Sequence, residues 1–368
     1  MKVLHLLASG KTGGIERLCK DIILKADWDN RICCLFDAGE IYEELKSKDK
    51  KVFSLKDKNR NKKSIVQYLV KYCKEEKIDI ITIHHGGINC NLIYMMLKKR
   101  LPNIKFVRYL HGCFDKYSFG NDQGGMLRKV VTKYVMQKAF NVSDLLVFIS
   151  KAVERSFQNN FNIKKINKVV IYNGIDDAFF EREYLKKNII KNIIFVGRLS
   201  YVKGVNLLID AFKKVYEKKP DITLTIVGDG EEKQNLINQA KELNLQDSIF
   251  FAGRQSNVID WLDNAEIFVY PSIWEEGFGI SVVEAMSRGC IPITFNKGGL
   301  SEIIENGKDG FLIDSVDSNA LASKIIEVTL MNDDEIQKIR NNAMETSKKY
   351  SIDNTILSLK KEYNKLNY

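Results

Sequence analysis

Short apolar runs alternate with longer amphipathic stretches along this chain, and the alternation starts afresh near its middle. A parallel α/β sheet has this rhythm, because its strands are buried on both faces and each return to the same sheet edge needs a helical crossover. In the first half, KVLHLL (2–7), RICCLF (31–36), IDIITI (78–83), NIKFVRYL (103–110), DLLVFIS (144–150) and KVVIY (168–172) are the expected strands. Helical patterns lie between them, over 14–25 and 64–76. The second half restarts with NIIFVG (192–197), ITLTIVG (222–228), SIFFAG (248–253), EIFVYP (266–271) and IPITF (291–295), with a helical pattern over 204–218. At 368 residues the chain is too long for one comfortable core and suits two domains. The expected division is a doubly wound unit over 1–176, a polar linker over 177–191 and a second doubly wound unit over 192–350. The last amphipathic pattern, 352–368, is expected to cross back onto the first unit. Ligands of open α/β sheets bind beyond the carboxyl ends of the strands, so the expected site is a groove between two such units.

Composition excludes several classes. Hydrophobic residues make up 45% and charged residues 28%, a globular balance. No apolar run approaches the roughly 18 residues of a membrane span. The start, MKVLHLLASGKTGG, runs from a short apolar stretch straight into a glycine loop and makes a poor secretory signal, so a cytoplasmic protein is expected. Seven cysteines at 19, 33, 34, 73, 90, 113 and 290, with no C-x-x-C pair and no histidine at ligand spacing, read as reduced, buried thiols. Net charge is +10, but residues 1–180 carry 33 Lys/Arg against 19 Asp/Glu while 181–368 carry 24 against 28. The basic excess therefore belongs to the first unit, concentrated over 46–63 and 98–138. It lacks the aromatic and glycine interleaving of RNA-binding modules, so nucleic acid is not the expected partner. An anionic membrane surface or a lipid-diphosphate acceptor suits it better, and a merely solvated face is the plain alternative. In 112–140, Phe114, Tyr117, Phe119 and Met126 mix with Lys116, Arg128 and Lys129, an apolar and basic loop fit to dock a lipid end.

The second unit carries the phosphate chemistry. Its first strand ends in 195-FVGRLSYVKG-204, where Gly197 permits a tight turn and Arg198 and Lys203 bring two cations to a helix start that already favours an anion. The next strand ends in 226-IVGDGEE-232, with Gly228 and Gly230 open to close backbone approach. Then 271-PSIWEEGFGISVVEAM-286 places Glu276 in a loop beside Gly277, Phe278 and Gly279, and Glu284 in the helix opened by Ile280. Two carboxylates so spaced reach opposite ends of one extended ligand. The plainer reading pairs Glu284 with Arg288 at i,i+4.

These motifs, together with 298-GGLSEIIENGKDGFLI-313, 13-GG-14, 111-HG-112 and 173-NGID-176, resemble in order and spacing the retaining glycosyltransferases of family 4. The resemblance spans essentially the whole chain. It implies a GT-B fold, two Rossmann-like doubly wound domains facing across a cleft, with a nucleotide-diphosphate sugar as donor, a UDP-sugar being favoured. It implies that Arg198 and Lys203 bind the diphosphate, that Glu284 accepts from the ribose hydroxyls, and that Glu276 with the Gly277–Gly279 backbone grips the sugar and distal phosphate. His111 would face the sugar from the other domain, Gly13 and Gly14 would approach the phosphates or acceptor, and the backbone at Gly253 and Arg254 would meet the base. The acceptor would be a glycan or lipid-linked chain in capsule, exopolysaccharide or lipopolysaccharide assembly, reached at the inner face of the cell membrane. A leaving-group oxygen takes the acceptor's proton in the family's favoured account, so no protein base is required; no cofactor and no metal are expected. An epimerase of the same fold and a non-catalytic nucleotide-sugar-binding scaffold are the alternatives.

Two motifs compete. The loop 8-ASGKTGG-14 imitates a phosphate-binding loop, but that pattern needs Gly where this chain has His5. The tripeptide 27-DWD-29 imitates a metal-binding D-x-D, but it precedes a strand instead of closing one. His84 and His85 end a strand and are expected to contact the acceptor or to pack through hydrogen bonds.

Overall fold

The computed structural model describes residues 1–11, 13–55, 61–85, 87–114, 126–181 and 190–366. It separates into two compact units, one of Met1–Gly174 with Ile352–Tyr368, the other of Ile175–Ser351.

The first unit holds seven parallel strands: β1 Lys2–Ser9, β2 Asp29–Asp37, β3 Val52–Ser54, β4 Ile80–Ile83, β5 Lys105–Leu110, β6 Leu145–Phe148 and β7 Lys168–Val170. Its helices are α1 Gly14–Lys25, α2 Glu40–Ser47, α3 Lys62–Glu75, α4 Ile88–Arg100, α5 Met126–Asn141 and α6 Lys151–Gln158. The second unit has β8 Asn192–Val196, β9 Thr223–Val227, β10 Ile249–Gly253, β11 Ile267–Tyr270, β12 Ile291–Phe295 and β13 Phe311–Ile313. Its helices are α7 Val205–Lys218, α8 Lys233–Glu242, α9 Ile259–Asp263, α10 Ile280–Ser287, α11 Leu300–Ile303, α12 Ser318–Thr329 and α13 Asp333–Ser347. The chain closes on α14, Ile352–Asn364.

Strand order is β3-β2-β1-β4-β5-β6-β7 in one sheet and β10-β9-β8-β11-β12-β13 in the other. Each order reverses direction once, between β1 and β4 and between β8 and β11. At such a point two neighbouring loops diverge to opposite faces and leave a crevice, and it is there that doubly wound sheets take their ligands. Strands β3 and β13 are additions to the expected set. Both are three-residue edge strands, too short to show a period.

Helix α14 belongs to the first unit because its apolar positions Ile352, Ile356, Leu359 and Tyr363 fall on one helical stripe. They pack with Val3, Leu18, Ile22, Val107, Tyr109 and Leu145 in one cluster. Tyr363 is fully buried, its hydroxyl 2.6 Å from that of Tyr109 and its ring edge-on to Trp28 at 6.0 Å. All seven cysteines are free and buried. Among the described residues no helix is long and apolar enough to cross a membrane.

Candidate functional site

In the second unit, four loops at the carboxyl ends of β8, β9, β11 and β12 are tied together through their backbones. Leu199 N donates to Asp229 O at 2.9 Å, Ile273 N to Val202 O at 3.0 Å, and Gly299 N to Glu276 O at 2.7 Å. Glycine is required where these loops cross. A Cβ on Gly228, at φ +150°, would sit 1.9 Å from Gly197 O, and one on Gly298, at φ +55°, 2.2 Å from Glu276 O. Both contacts are with backbone, which cannot rotate aside as a side chain can.

This weave brings Lys203 to Glu276 across 73 residues of sequence: Nζ lies 2.6 Å from Glu276 Oε1 and 2.6 Å from the Tyr270 hydroxyl. Ser272 Oγ donates to the same Glu276 oxygen. Burial by itself would lower the Lys203 pKa, but Tyr270 and Glu276 outweigh it and hold the ammonium above the usual lysine value. Burial pushes Tyr270 up to about 12, with the Glu276 charge adding to it. Lys203 is therefore a fixed cation at any physiological pH. Arg198, five residues before it in the loop after β8, is exposed. Tyr270 and Ser272 are the members of this cluster that sequence reasoning missed. Their one signal was position, at and just past the end of a strand that borders the crevice.

The other residues expected here are placed as follows. Gly279 caps α10 at φ +107°, and Glu284, the fifth residue of that helix, is buried just over one turn in. Arg288 makes a two-pronged ion pair with Asp263, Nε to Oδ1 at 2.7 Å and Nη2 to Oδ2 at 2.5 Å, the role that the plainer reading gave to Glu284. Phe278 turns its ring into the core against Tyr350, leaving its backbone in the loop. Gly253 O accepts from Gly228 N at 2.8 Å, and Arg254 beside it is exposed.

In the first unit, Gly13 caps α1 and Gly14 begins it, directly after β1. His84 follows β4 and His111 follows β5. Both line a cavity of about 560 Å³, together with His85, Arg128 and Thr132. His84 Nδ1 lies 3.1 Å from His111 Nε2, and His84 Nε2 lies 3.2 Å from His5 Nδ1. Cys19 Sγ is 3.5 Å from His84 Nδ1. His5, Cys19 and His84 hold three ligand-type atoms within 4.8 Å of one another, a grouping hidden in sequence because β1, α1 and the loop just after β4 supply one residue each. Hydrogen bonds already engage both nitrogens of each of the two rings.

Burial lowers His5 to about 4 and His111 to about 3, the latter helped by His85, and lowers His84 well below its usual value. Folded pKa values below the unfolded value mean that the unfolded chain binds more protons, so stability is lost as pH falls from about 6.5 toward these values. The urea midpoint is expected to drop between pH 7.5 and 5.5, as the unfolding free energy falls by up to about 1.4 kcal/mol per pH unit for each ring. An unchanged midpoint would contradict buried neutral histidines.

Two sequence expectations meet specific geometry. The carboxylates of 27-DWD-29 are taken by cations, Asp27 by Lys360 at 2.5 Å and Asp29 by Arg31 at 3.1 Å and Lys51 at 2.9 Å. Phe114, expected in a loop that docks a lipid end, is instead buried against Phe157 and Phe161, its backbone N–H donating to Ser156 Oγ on α6 at 3.0 Å. Lys116, Tyr117, Phe119, the Met126 side chain and Thr12 of the GKT tripeptide lie outside the described residues.

Residues 176–349 match the family described as glycosyl transferases group 1, and residues 12–179 match glycosyltransferase family 4. The chain is 30% identical over 297 residues to an uncharacterized glycosyltransferase of Methanocaldococcus jannaschii, covering 80% of this chain and 77% of that one. It is 26% identical over 294 residues to the UDP-Gal:alpha-D-GlcNAc-diphosphoundecaprenol alpha-1,3-galactosyltransferase of Escherichia coli, covering 76% and 73%. In fold it is similar to Anabaena HepE, solved in complex with UDP, with a TM-score of 0.84, 22% identity and 99% and 100% of the two chains covered.

Proposed function

Because the chain belongs to the family 4 glycosyltransferases of GT-B fold, we propose that it moves a sugar from a UDP-sugar to a glycan or lipid-linked acceptor, with retention of anomeric configuration. The setting we propose is capsule, exopolysaccharide or lipopolysaccharide assembly, as the diphosphoundecaprenol acceptor named for the Escherichia coli relative suggests. The observation that carries this reading is the cluster at the β8/β11 crevice: a permanent cation, Lys203, held by Glu276 and Tyr270, with the exposed Arg198 in the same loop after β8. When a sugar–phosphate bond breaks, negative charge grows on the departing diphosphate, and two fixed cations stabilise it more in the transition state than in the ground state. Arg198 and Lys203 take that role, Glu284 holds the ribose, and Glu276 with the backbone of 277–279 holds the sugar. These cations supply the charge that the leaving group needs, so the reading requires no metal. His111 offers a neutral ring to the sugar, and the cavity beside it takes the acceptor.

Incubation with UDP-, GDP- and ADP-sugars and a lipid-linked acceptor tests this. Nucleotide release coupled to sugar incorporation, with the donor's anomeric configuration kept in the product by proton NMR, is the expected result. Interconversion of the donor sugar would favour an epimerase, and binding without turnover a scaffold.

The acceptor's lipid end points to an anionic membrane as a further partner. On α5, Val130, Val131 and Tyr134 are 59%, 44% and 63% exposed, interleaved with exposed Arg128, Lys129, Lys133 and Lys138. Apolar side chains among cations suit a surface of anionic headgroups, each cation contributing about 1 kcal/mol near it. Sedimentation with phosphatidylglycerol vesicles is expected to exceed that with phosphatidylcholine, and Lys129→Glu with Lys133→Glu to weaken it at least about tenfold. Equal sedimentation with both lipids rules this partner out.

A further inference from the structure

The hydrogen bonds beneath His111 form a chain whose direction can be read from its far end. Trp28 Nε1 is 2.7 Å from Asn30 Oδ1, and Asn30 Nδ2 is 3.2 Å from the Trp28 carbonyl. An indole N–H only donates and a carbonyl only accepts, so the Asn30 amide has one orientation and its Oδ1 is an acceptor. His5 Nε2, 3.0 Å from that oxygen, must carry a proton. His5 is neutral, so its Nδ1 is a bare lone pair. That lone pair faces Thr82 Oγ1 at 2.9 Å and His84 Nε2 at 3.2 Å, and Thr82 Oγ1 is also 3.2 Å from His84 Nε2.

Three atoms thus meet in a triangle, and Thr82 brings a single proton to it. Were His84 Nε2 bare, two ring lone pairs would oppose each other at 3.2 Å, with one hydroxyl proton to serve both. A proton on His84 Nε2 removes the conflict. His84 Nδ1 is then bare, and a bare His111 Nε2 only 3.1 Å away would again set two lone pairs against each other, so His111 Nε2 carries the N–H, while Cys19 Sγ, at 3.5 Å, makes the longer contact to the same lone pair. The strand register makes the triangle unavoidable: His5 and Thr82 are direct partners across β1 and β4, so their side chains share one face. Tyr109 stacks on both His84 and His111, holding their planes nearly parallel.

We infer that Trp28, Asn30, His5 and His84 order the protons of this chain in one direction, so that His111 stands as the Nε2–H tautomer and presents Nδ1 as a hydrogen-bond acceptor for a ligand hydroxyl. His84 and His5 are positioning residues acting through His111. Among the described residues the hydrogen bonds of His111 run through Nε2 alone, which leaves Nδ1 for the ligand. An acceptor at this position selects a hydroxyl that donates, and it rejects a deoxy or O-methyl analogue, because a buried polar atom would then go unpaired. This specificity role rests on the proposed sugar transfer, whereas the proton order does not.

Two measurements keep the parts separate. Long-range nitrogen–proton NMR of the full chain, labelled at histidine, reports each ring's tautomer without any substrate. The chain has four histidines, so His85→Gln assigns the spectrum. His5, His84 and His111 are expected as Nε2–H and non-titrating from pH 6 to 8. An Nδ1–H or rapidly exchanging His111 would overturn the inference. His84→Gln keeps one donor and one acceptor and is expected to preserve the His111 tautomer, while His5→Phe, which touches nothing of the ligand, is expected to release it and to lower kcat about tenfold at unchanged UDP affinity. A His5→Phe protein with wild-type tautomer and kcat would also overturn it. Absent sugar transfer with the NMR pattern intact would count against the function alone.

Discussion

Glu276→Ala is expected to lower sugar transfer about a thousandfold, at the upper end of what one preorganised polar group contributes to a transition state, while UDP affinity stays within about threefold. The two effects separate because of what Glu276 does to Lys203. In this structure the carboxylate lies 2.6 Å from the ammonium. Removing it takes away the grip on the sugar but also releases Lys203 toward the diphosphate, so nucleotide binding keeps its cation. Breaking a buried ion pair costs about 3–5 kcal/mol, and less here, since Lys203 keeps Tyr270 and 20% of its side-chain surface. The protein should therefore remain folded. Glu276→Gln, which preserves shape without charge, should recover stability but little turnover. Arg198→Ala is the contrasting case: among the described residues Arg198 has no carboxylate partner to release, and its loss should weaken UDP binding and transfer together. Calorimetric titration with UDP and single-turnover transfer measure both, and wild-type turnover in Glu276→Ala would refute the role assigned to it.

The second large effect is on stability. Leu359 is fully buried in the cluster that joins α14 to β1, β5, β6 and α1, so Leu359→Ala should cost about 2–5 kcal/mol, the transfer term plus the cavity left behind. The loss should fall on the first unit alone, because Leu359 packs within it. Trp28 reports on that unit through its contact with Tyr363. Its fluorescence change should move to lower urea, while UDP binding, assigned to the second unit, persists beyond it. Coincident midpoints for the two signals, or an unmoved Trp28 transition, would show that the units do not divide the work this way.

Much of the fold was legible because periodicity and burial agree. The runs at 2–7, 78–83 and 291–295 hold strands, and the stretch 14–25 is a helix with those same bounds. What escaped was short or edge-bound. Val52–Ser54 lies half-buried inside a lysine-rich stretch, and Phe311–Ile313 offers three residues after a glycine turn. In the site, Arg198, Lys203 and Glu276 were visible because charged residues in loops after strands have few structural duties. Tyr270 was not, since the last residue of an apolar strand reads as core. The His5–Cys19–His84 convergence was invisible for a different reason: only the register between β1 and β4 brings those elements together. Phe114 misled because an aromatic in a basic loop looks like a surface feature, and only the Phe157 and Phe161 rings waiting beneath it make it core.

The discontinuity of the first unit bears on how the protein is born. Residues 175–351 form one continuous stretch and can finish folding as they leave the ribosome, whereas the sheet that carries the histidines must wait for residues 352–366. At about 5–20 residues per second, translating the intervening unit takes roughly 10–35 s. Throughout that interval Val3, Leu18, Ile22 and Tyr109 lack the helix that covers them. A chain halted just short of Ile352 would leave that apolar trough uncovered, and this is the stage at which misassembly is expected to begin.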